Sequence, residues 1–231
     1  MLGRGWFLMI SAVVPCCVSH KLQLQHEVTW ARDVLLGSEV GDGRPGVVRW
    51  PHPIHFLLVA APERVQLAVA SAFDQLQEAL AGVQRLKLEY VDERDPRIGQ
   101  DHFITMFATA PDHAGLLAER HGAQPPDVLA DGWFTIIWNL QYELTRAIVF
   151  VDPELEQARL RHTALEEMFQ VLGPSNDSGR IRDSLVFERG FSVGGRTSLA
   201  TVDAKVLVLL YEDLSPGDNA ADIERAMRRS W

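Results

Sequence analysis

The sequence predicts an α+β fold: one twisted mixed sheet of about four to five strands, packed by helices, with a smaller helical part at the C-terminal end. Three observations lead there. Runs of β-branched and aromatic residues at strand length occur at 54–59, 86–91, 102–109, 133–138 and 146–151. Apolar residues recur at helical spacing over 62–80, 160–172 and 198–211. The strands are concentrated before position 152, and the remainder of the chain is helical in pattern.

At 231 residues the chain is one medium domain, or one domain with extensions, and its 47% hydrophobic content is enough for a globular core. The net charge of −9 argues against a nucleic-acid partner and against an anionic membrane surface.

The N-terminus has the pattern of an export signal. Arg4 gives a basic start, and Trp6 to Val18 is an apolar core too short to span a bilayer. Small residues at Cys17 and Ser19 suit cleavage near Ser19-His20, giving a signal peptide over 1–19, an N-terminal extension over 20–46 and the main domain over 47–231. A buried first helix or strand, and a lipoprotein anchor, are the alternatives; Pro15 before Cys16 suits a lipobox poorly. Both cysteines, Cys16 and Cys17, lie in this segment, so a processed chain has no disulfide and no thiolate metal ligand. That points to a bacterial exported protein, periplasmic or secreted, with no transmembrane segment in its mature form.

Residues 20–46 are mixed in character and end in the turn-rich Gly41 to Gly46. Pro51 and Pro53 place the start of the 54–59 strand at a sheet edge or a bulge. In the helix over 62–80, Pro62 fits the first turn and Val65, Val69, Ala72, Phe73, Leu76 and Leu80 form the buried stripe. Leu86 to Val91 alternates with period two, and 92–100 is a charged loop. His102 to Thr109 is a more buried strand, followed by a polar excursion with a short helix around 114–120. Trp133 to Trp138 and Arg146 to Val151 are apolar strands, and Asp152-Pro153 closes the second before a helix starting near 153–154. The Gly-rich 190–197 stretch mimics a phosphate loop, with Arg196 in place of Lys. It lacks the strand and parallel context of one, so it is expected to cap the next helix through Thr197 or Ser198. In that helix Asp203 is expected at the surface. A polar helix over 220–229 ends the chain.

The stretch Arg161 to Asp177 carries the chemistry. His162, Glu166 and Gln170 lie four apart along one helical face, with Glu167 one step round, and the helix stops at Gly173-Pro174. Zinc peptidases of the zincin type place His-Glu-x-x-His on such a helix, where the two His hold the metal and the Glu polarises its water. In metzincins a Gly follows three residues later and a third ligand three further on. Here Glu166, Gln170 and Asn176 occupy the ligand positions, Glu167 the position of the general base, and Gly173 the turn.

The chain resembles a family of exported bacterial proteins of unknown function with a degenerate zincin-like helix. The resemblance is carried by His162, Glu166, Glu167, Gln170, Leu172, Gly173, Asn176 and Asp177, with Gly37-Ser38-Glu39, Arg49-Trp50, Gly132-Trp133-Phe134, Leu209-Leu210-Tyr211 and Pro216-Gly217 as further landmarks. Pro174, where Leu is expected, is a departure. The resemblance implies a zincin-like fold and no demonstrated activity.

Gln is a poor zinc ligand, and the oxygen donors of Glu166, Gln170, Asn176 and Asp177 suit Ca²⁺, Mg²⁺ or Mn²⁺ better. A set of His162, Glu166 and Asp177 would keep one nitrogen. Without a metal, His162 and Glu166 form a surface pair, and Glu166 and Gln170 bond the loop after Gly173. Two functional expectations result, beside a purely structural domain whose polar helix face stabilises a loop. One is an exported zincin-like protein without zinc peptidase activity that binds an extended peptide or an envelope component. The other is a metal-dependent hydrolase with Glu167 as general base.

Overall fold

The computed structural model of the chain describes residues 16–37, 43–123, 131–187 and 195–231. The five strand segments join in one sheet. They are β1 (Ile54–Val59), β2 (Leu86–Val91), β3 (Phe103–Ala108), β4 (Gly132–Trp138) and β5 (Leu144–Val151), in the spatial order β2-β1-β3-β5-β4. The β1–β2, β1–β3 and β3–β5 pairs are parallel, and β4–β5 is an antiparallel hairpin with an irregularity at Ile137/Trp138. Its turn is fixed locally, because the Asn139 side-chain oxygen accepts from the Gln141 and Glu143 amides. Outside these strands, Arg49 forms a single parallel bridge with Glu143.

Period-two alternation gives the sheet two apolar faces. Ile54, Phe56 and Leu58 of β1, Ile104 and Met106 of β3, and Ala147, Val149 and Val151 of β5 enter the larger core. Helices α2 (Glu63–Ala79) and α4 (Gln157–Gln170) pack there, α2 burying Val65, Ala68, Val69, Ala72, Phe73 and Leu76. Val59, Phe107, Ile148 and Phe150 point the other way, onto α3 (Pro111–Arg120) through its Ala114 and Ala118.

Helix α1 (Cys16–Leu36) was not legible as a helix, because its first half carries no apolar stripe. Its second half buries Val28, Trp30, Ala31, Val34 and Leu35 in the same core as the sheet, so part of the 20–46 segment is built into the domain. The C-terminal part comprises α5 (Thr201–Val208), a π-helical turn (Leu209–Asp213) and α6 (Ala220–Ser230). No helix among the described residues is long and apolar enough to cross a membrane.

Two local expectations are corrected. Asp203 is fully buried rather than at the surface, and its carboxylate accepts from Ser184 Oγ at 2.7 Å and from the Leu185 and Ala200 amides at 2.9 Å each. The start of α5 is therefore capped by Asp203 reaching back from its first turn, not by Thr197 or Ser198, because Ala200 stands at the cap position with no acceptor of its own.

Candidate functional site

Helix α4 leaves β5 through a turn at Asp152, and it begins at Gln157 rather than near 153–154. Glu156 sets that start by accepting from the Ala158 amide at 3.0 Å. Arg159 pairs with Asp131, tying this end of the helix to the entry of β4. The helix is more buried than an amphipathic reading predicts: Glu167 and Gln170 are buried along with Leu160, Ala164, Leu165, Met168 and Phe169.

His162 and Glu166 form the expected pair, with Nε2 and Oε2 3.2 Å apart and both side chains largely shielded. The other ring nitrogen, Nδ1, lies 2.8 Å from the Arg196 carbonyl, so both nitrogens are occupied. An added Cβ on Gly195 would fall 2.2 Å from the ring, so only glycine lets the chain pass there. Burial alone would lower the His162 pKa. The hydrogen bond and charge of Glu166, the Arg196 carbonyl and the charge of Asp177 outweigh burial and hold it above the ordinary value of 6.5. A histidine whose folded pKa is raised contributes stability that is full below about pH 6.5 and is lost as pH rises through the folded value. His121, lowered by burial and by Arg146 and Arg120, acts in the opposite sense and below that range. Glu166→Gln is therefore expected to lower stability below about pH 6.5, where the pair contributes in full, and so to flatten the fall above that pH, as read by urea denaturation across pH.

One turn on, Gln170 Nε2 donates to Asp177 Oδ1 at 3.0 Å, which fixes the loop after the helix. Asn176 Nδ2 donates to the carbonyls of Asp33 (3.2 Å) and Asp177 (2.7 Å). The Asp33 carboxylate accepts from Ser178 Oγ and from Arg180. Gly37 closes this join, since a Cβ there would lie 2.4 Å from both Asn176 Nδ2 and the Asp33 carbonyl. The C-terminal end of α1 and the loop after α4 thus form one clasp.

The three carbonyls just past the end of α4 are each met by a side chain from elsewhere. Trp50 Nε1 donates to Val171 O at 2.9 Å, Tyr211 Oη to Leu172 O at 2.8 Å, and buried Arg44 Nη2 to Gly173 O at 3.1 Å and to Leu35 O at 2.8 Å. Burial pushes the Arg44 guanidinium down to about 10, which leaves it charged at neutral pH. Arg49 Nη1 donates to the carbonyls of Leu210 and Tyr211, holding the π-helical turn that presents the tyrosine.

Glu167, the candidate base, lies under the first residue of β4. An alanine Cβ at position 132 would fall 2.4 Å from Thr163 Cγ2 and 2.8 Å from Glu167 Oε1. Gly132→Ala is therefore expected to force β4 away from α4 and to destabilise by about 2 kcal/mol, measurable by chemical denaturation. Glu167 is 6% exposed, and Glu167, Gln170 and Asp177 are all engaged in interactions.

The six candidates thus resolve into three arrangements: His162 with Glu166, Gln170 with Asp177 and Asn176, and Glu167 beneath Gly132. Among the described residues, no group of three or more His, Cys, Asp or Glu side chains is placed to hold a metal ion.

A model of the family described as "Protein of unknown function (DUF2927)" matches residues 32–229. The chain belongs to the DUF2927 family. A comparison with curated proteins found no match. The family span runs from within α1 to the last turns of α6, so every residue of the clasp and of the α4 end lies inside it.

In this DUF2927 chain the landmarks of the resemblance acquire physical roles. Trp50 and Tyr211 cap α4, Arg49 holds the turn carrying Tyr211, and Gly37 and Gly132 make room for Asn176 and Glu167. Gly217, with φ +86°, pairs its amide with the Val47 carbonyl at 2.8 Å beside Gly46. Ser38, Glu39 and most of the 190–197 stretch lie outside the described residues. Sequence reasoning missed Asp33 and Arg44. Asp33 stands in a segment of mixed pattern, and Arg44 sits in a Gly/Pro-rich turn where a buried cation has no periodic signature.

Proposed function

We propose that the chain is an exported zincin-like domain without zinc peptidase activity, which binds an extended peptide or an envelope component along the edge of its sheet. The observation that carries this reading is the engagement of the helix polar groups. Both His162 nitrogens, the Gln170 amide and the buried Glu167 are committed to internal contacts. A metal ligand must offer a free lone pair, and a general base must reach solvent or substrate.

The binding half rests on β4. It lies at one end of the sheet, with no strand beyond it among the described residues. It carries no charge along its length and ends in Trp138, which is 42% exposed. An uncharged apolar edge is a ready template for an added strand. Zincins take peptides along such an edge, and here the edge runs past α4 at Gly132.

The export half rests on Arg4, the apolar 6–18 segment and the confinement of cysteine to positions 16 and 17. Cleavage near Ser19-His20 falls in the first turns of α1, whereas among the described side chains of that helix the buried ones begin at Val28, so processing would leave that part of the core intact.

An array of immobilised unstructured peptides tests the binding role. The chain is expected to retain a subset of them uncut, in the presence or absence of chelator. The double variant Ile137→Lys/Trp138→Lys should lose that binding with an unchanged melting temperature. Cleavage of the peptides, or a charged edge that binds as well as the native one, would sink the proposal.

A further inference from the structure

We propose that His52 and His102 form a two-histidine site for a divalent transition-metal ion of the zinc and copper class. The sheet brings them together from distant parts of the chain. His52 lies just before β1 and His102 just before β3, and His55 and Phe103 are partners in the parallel β1–β3 pair. The two imidazoles meet edge to face, with centroids 5.6 Å apart and planes at 73°. Two imidazoles that share one tetrahedral ion, at about 2.0–2.1 Å from each nitrogen, have centroids about 5 Å apart. Both residues are exposed, so rotation about the side-chain bonds closes the difference.

The backbone holds both rings in place. His52 stands between Pro51 and Pro53, which confine it to an extended conformation, and its carbonyl accepts from Gln84 Nε2 at 3.1 Å. His102 has a φ of +70°, in the left-handed region, and its amide donates to the Thr145 carbonyl. A non-glycine residue held there is a form of strain that gathers at functional sites. Among the described residues, no ring nitrogen of His52 or His102 has a hydrogen-bond or ion-pair partner, whereas His55, His113 and His162 are engaged with Glu89, Asp112 and Glu166. Their lone pairs are therefore available to a metal, unlike those of the α4 residues. Imidazole nitrogens select zinc, copper and nickel, and disfavour Mg²⁺ and Ca²⁺, which take oxygen ligands. No third His, Cys, Asp or Glu joins the pair among the described residues, so water completes the shell. Half the ligands of a structural zinc site give about half its binding free energy, a Kd of about 1–100 µM, and an ion held so loosely is released during purification. The pair shares no residue with the α4 clasp, so the two proposals stand or fall separately.

Titration of the full, untagged chain with Zn²⁺ and with Mg²⁺, followed through the imidazole signals of each histidine by proton–nitrogen NMR, tests the assignment. The His52 and His102 signals are expected to shift together and to saturate with Zn²⁺ at a common Kd of about 1–100 µM, with no response to Mg²⁺. His52→Ala should weaken the His102 response about ten-fold or more while leaving the urea midpoint unchanged, and Glu166→Ala should leave that response intact. Absence of a saturable shift at the pair, an equal response to Mg²⁺, an undiminished His102 response in His52→Ala, or its loss in Glu166→Ala would overturn the proposal.

Discussion

Replacing Asp203 by alanine is expected to destabilise the chain by about 3–5 kcal/mol, among the largest effects expected of any single substitution in this fold. The carboxylate is fully buried and accepts three hydrogen bonds, two of them from backbone amides. Removing it leaves the Leu185 and Ala200 N–H groups unpaired and detaches the 184–186 loop, with its buried Leu185 and Val186, from the start of α5. A fall of about 10 °C in melting temperature is the corresponding expectation for a chain of this length. Asp203→Asn keeps an acceptor oxygen and should recover part of the loss. Equal stability of the alanine variant and the native chain would show that the loop is not held this way.

Gly173→Ala is expected to cost about 3 kcal/mol and to disturb the clasp directly. Its φ of +133° lies where side chains are strained, and a Cβ would fall 2.7 Å from Leu210 Cδ2 and 2.8 Å from the Val48 carbonyl. The backbone carbonyl cannot swing aside as a side chain can, so the helix end must move. That movement pulls Gly173 O from Arg44 and Leu172 O from Tyr211. Denaturation measures the energy, and quenching of Trp50, whose indole donates to Val171 O, reports the opening. An unchanged Trp50 environment would mean that the three caps do not act together.

The sheet was legible because each strand announces itself locally. LKLEYV alternates, IHFLLV and RAIVFV are continuous apolar runs, and all three become the strands expected of them. Helix α2 was equally clear, since its buried residues follow a single 3.6-residue stripe. In α4 the pattern gave the helix but not the burial of Glu167 and Gln170, because a polar side chain carries no mark of the partner that lets it go inside. Asp203 failed for the same reason: its partners lie 3, 18 and 19 positions away, in a loop without periodicity. The joins between Asn176 and Asp33, Trp50 and Val171, and Tyr211 and Leu172 span 143, 121 and 39 positions. Spacing within one helix cannot reveal them, because each partner comes from a distant part of the chain.

The central proposal is that the α4 polar residues hold the fold together and do not hold a catalytic metal. Elemental analysis of protein purified without chelator, made in parallel on the native chain and on Glu166→Ala, tests it most directly. No stoichiometric metal is predicted in either sample, with Glu166→Ala less stable than the native chain. A stoichiometric divalent metal in the native protein that disappears in Glu166→Ala would contradict it and would make the Glu166–Gln170 helix a metal site.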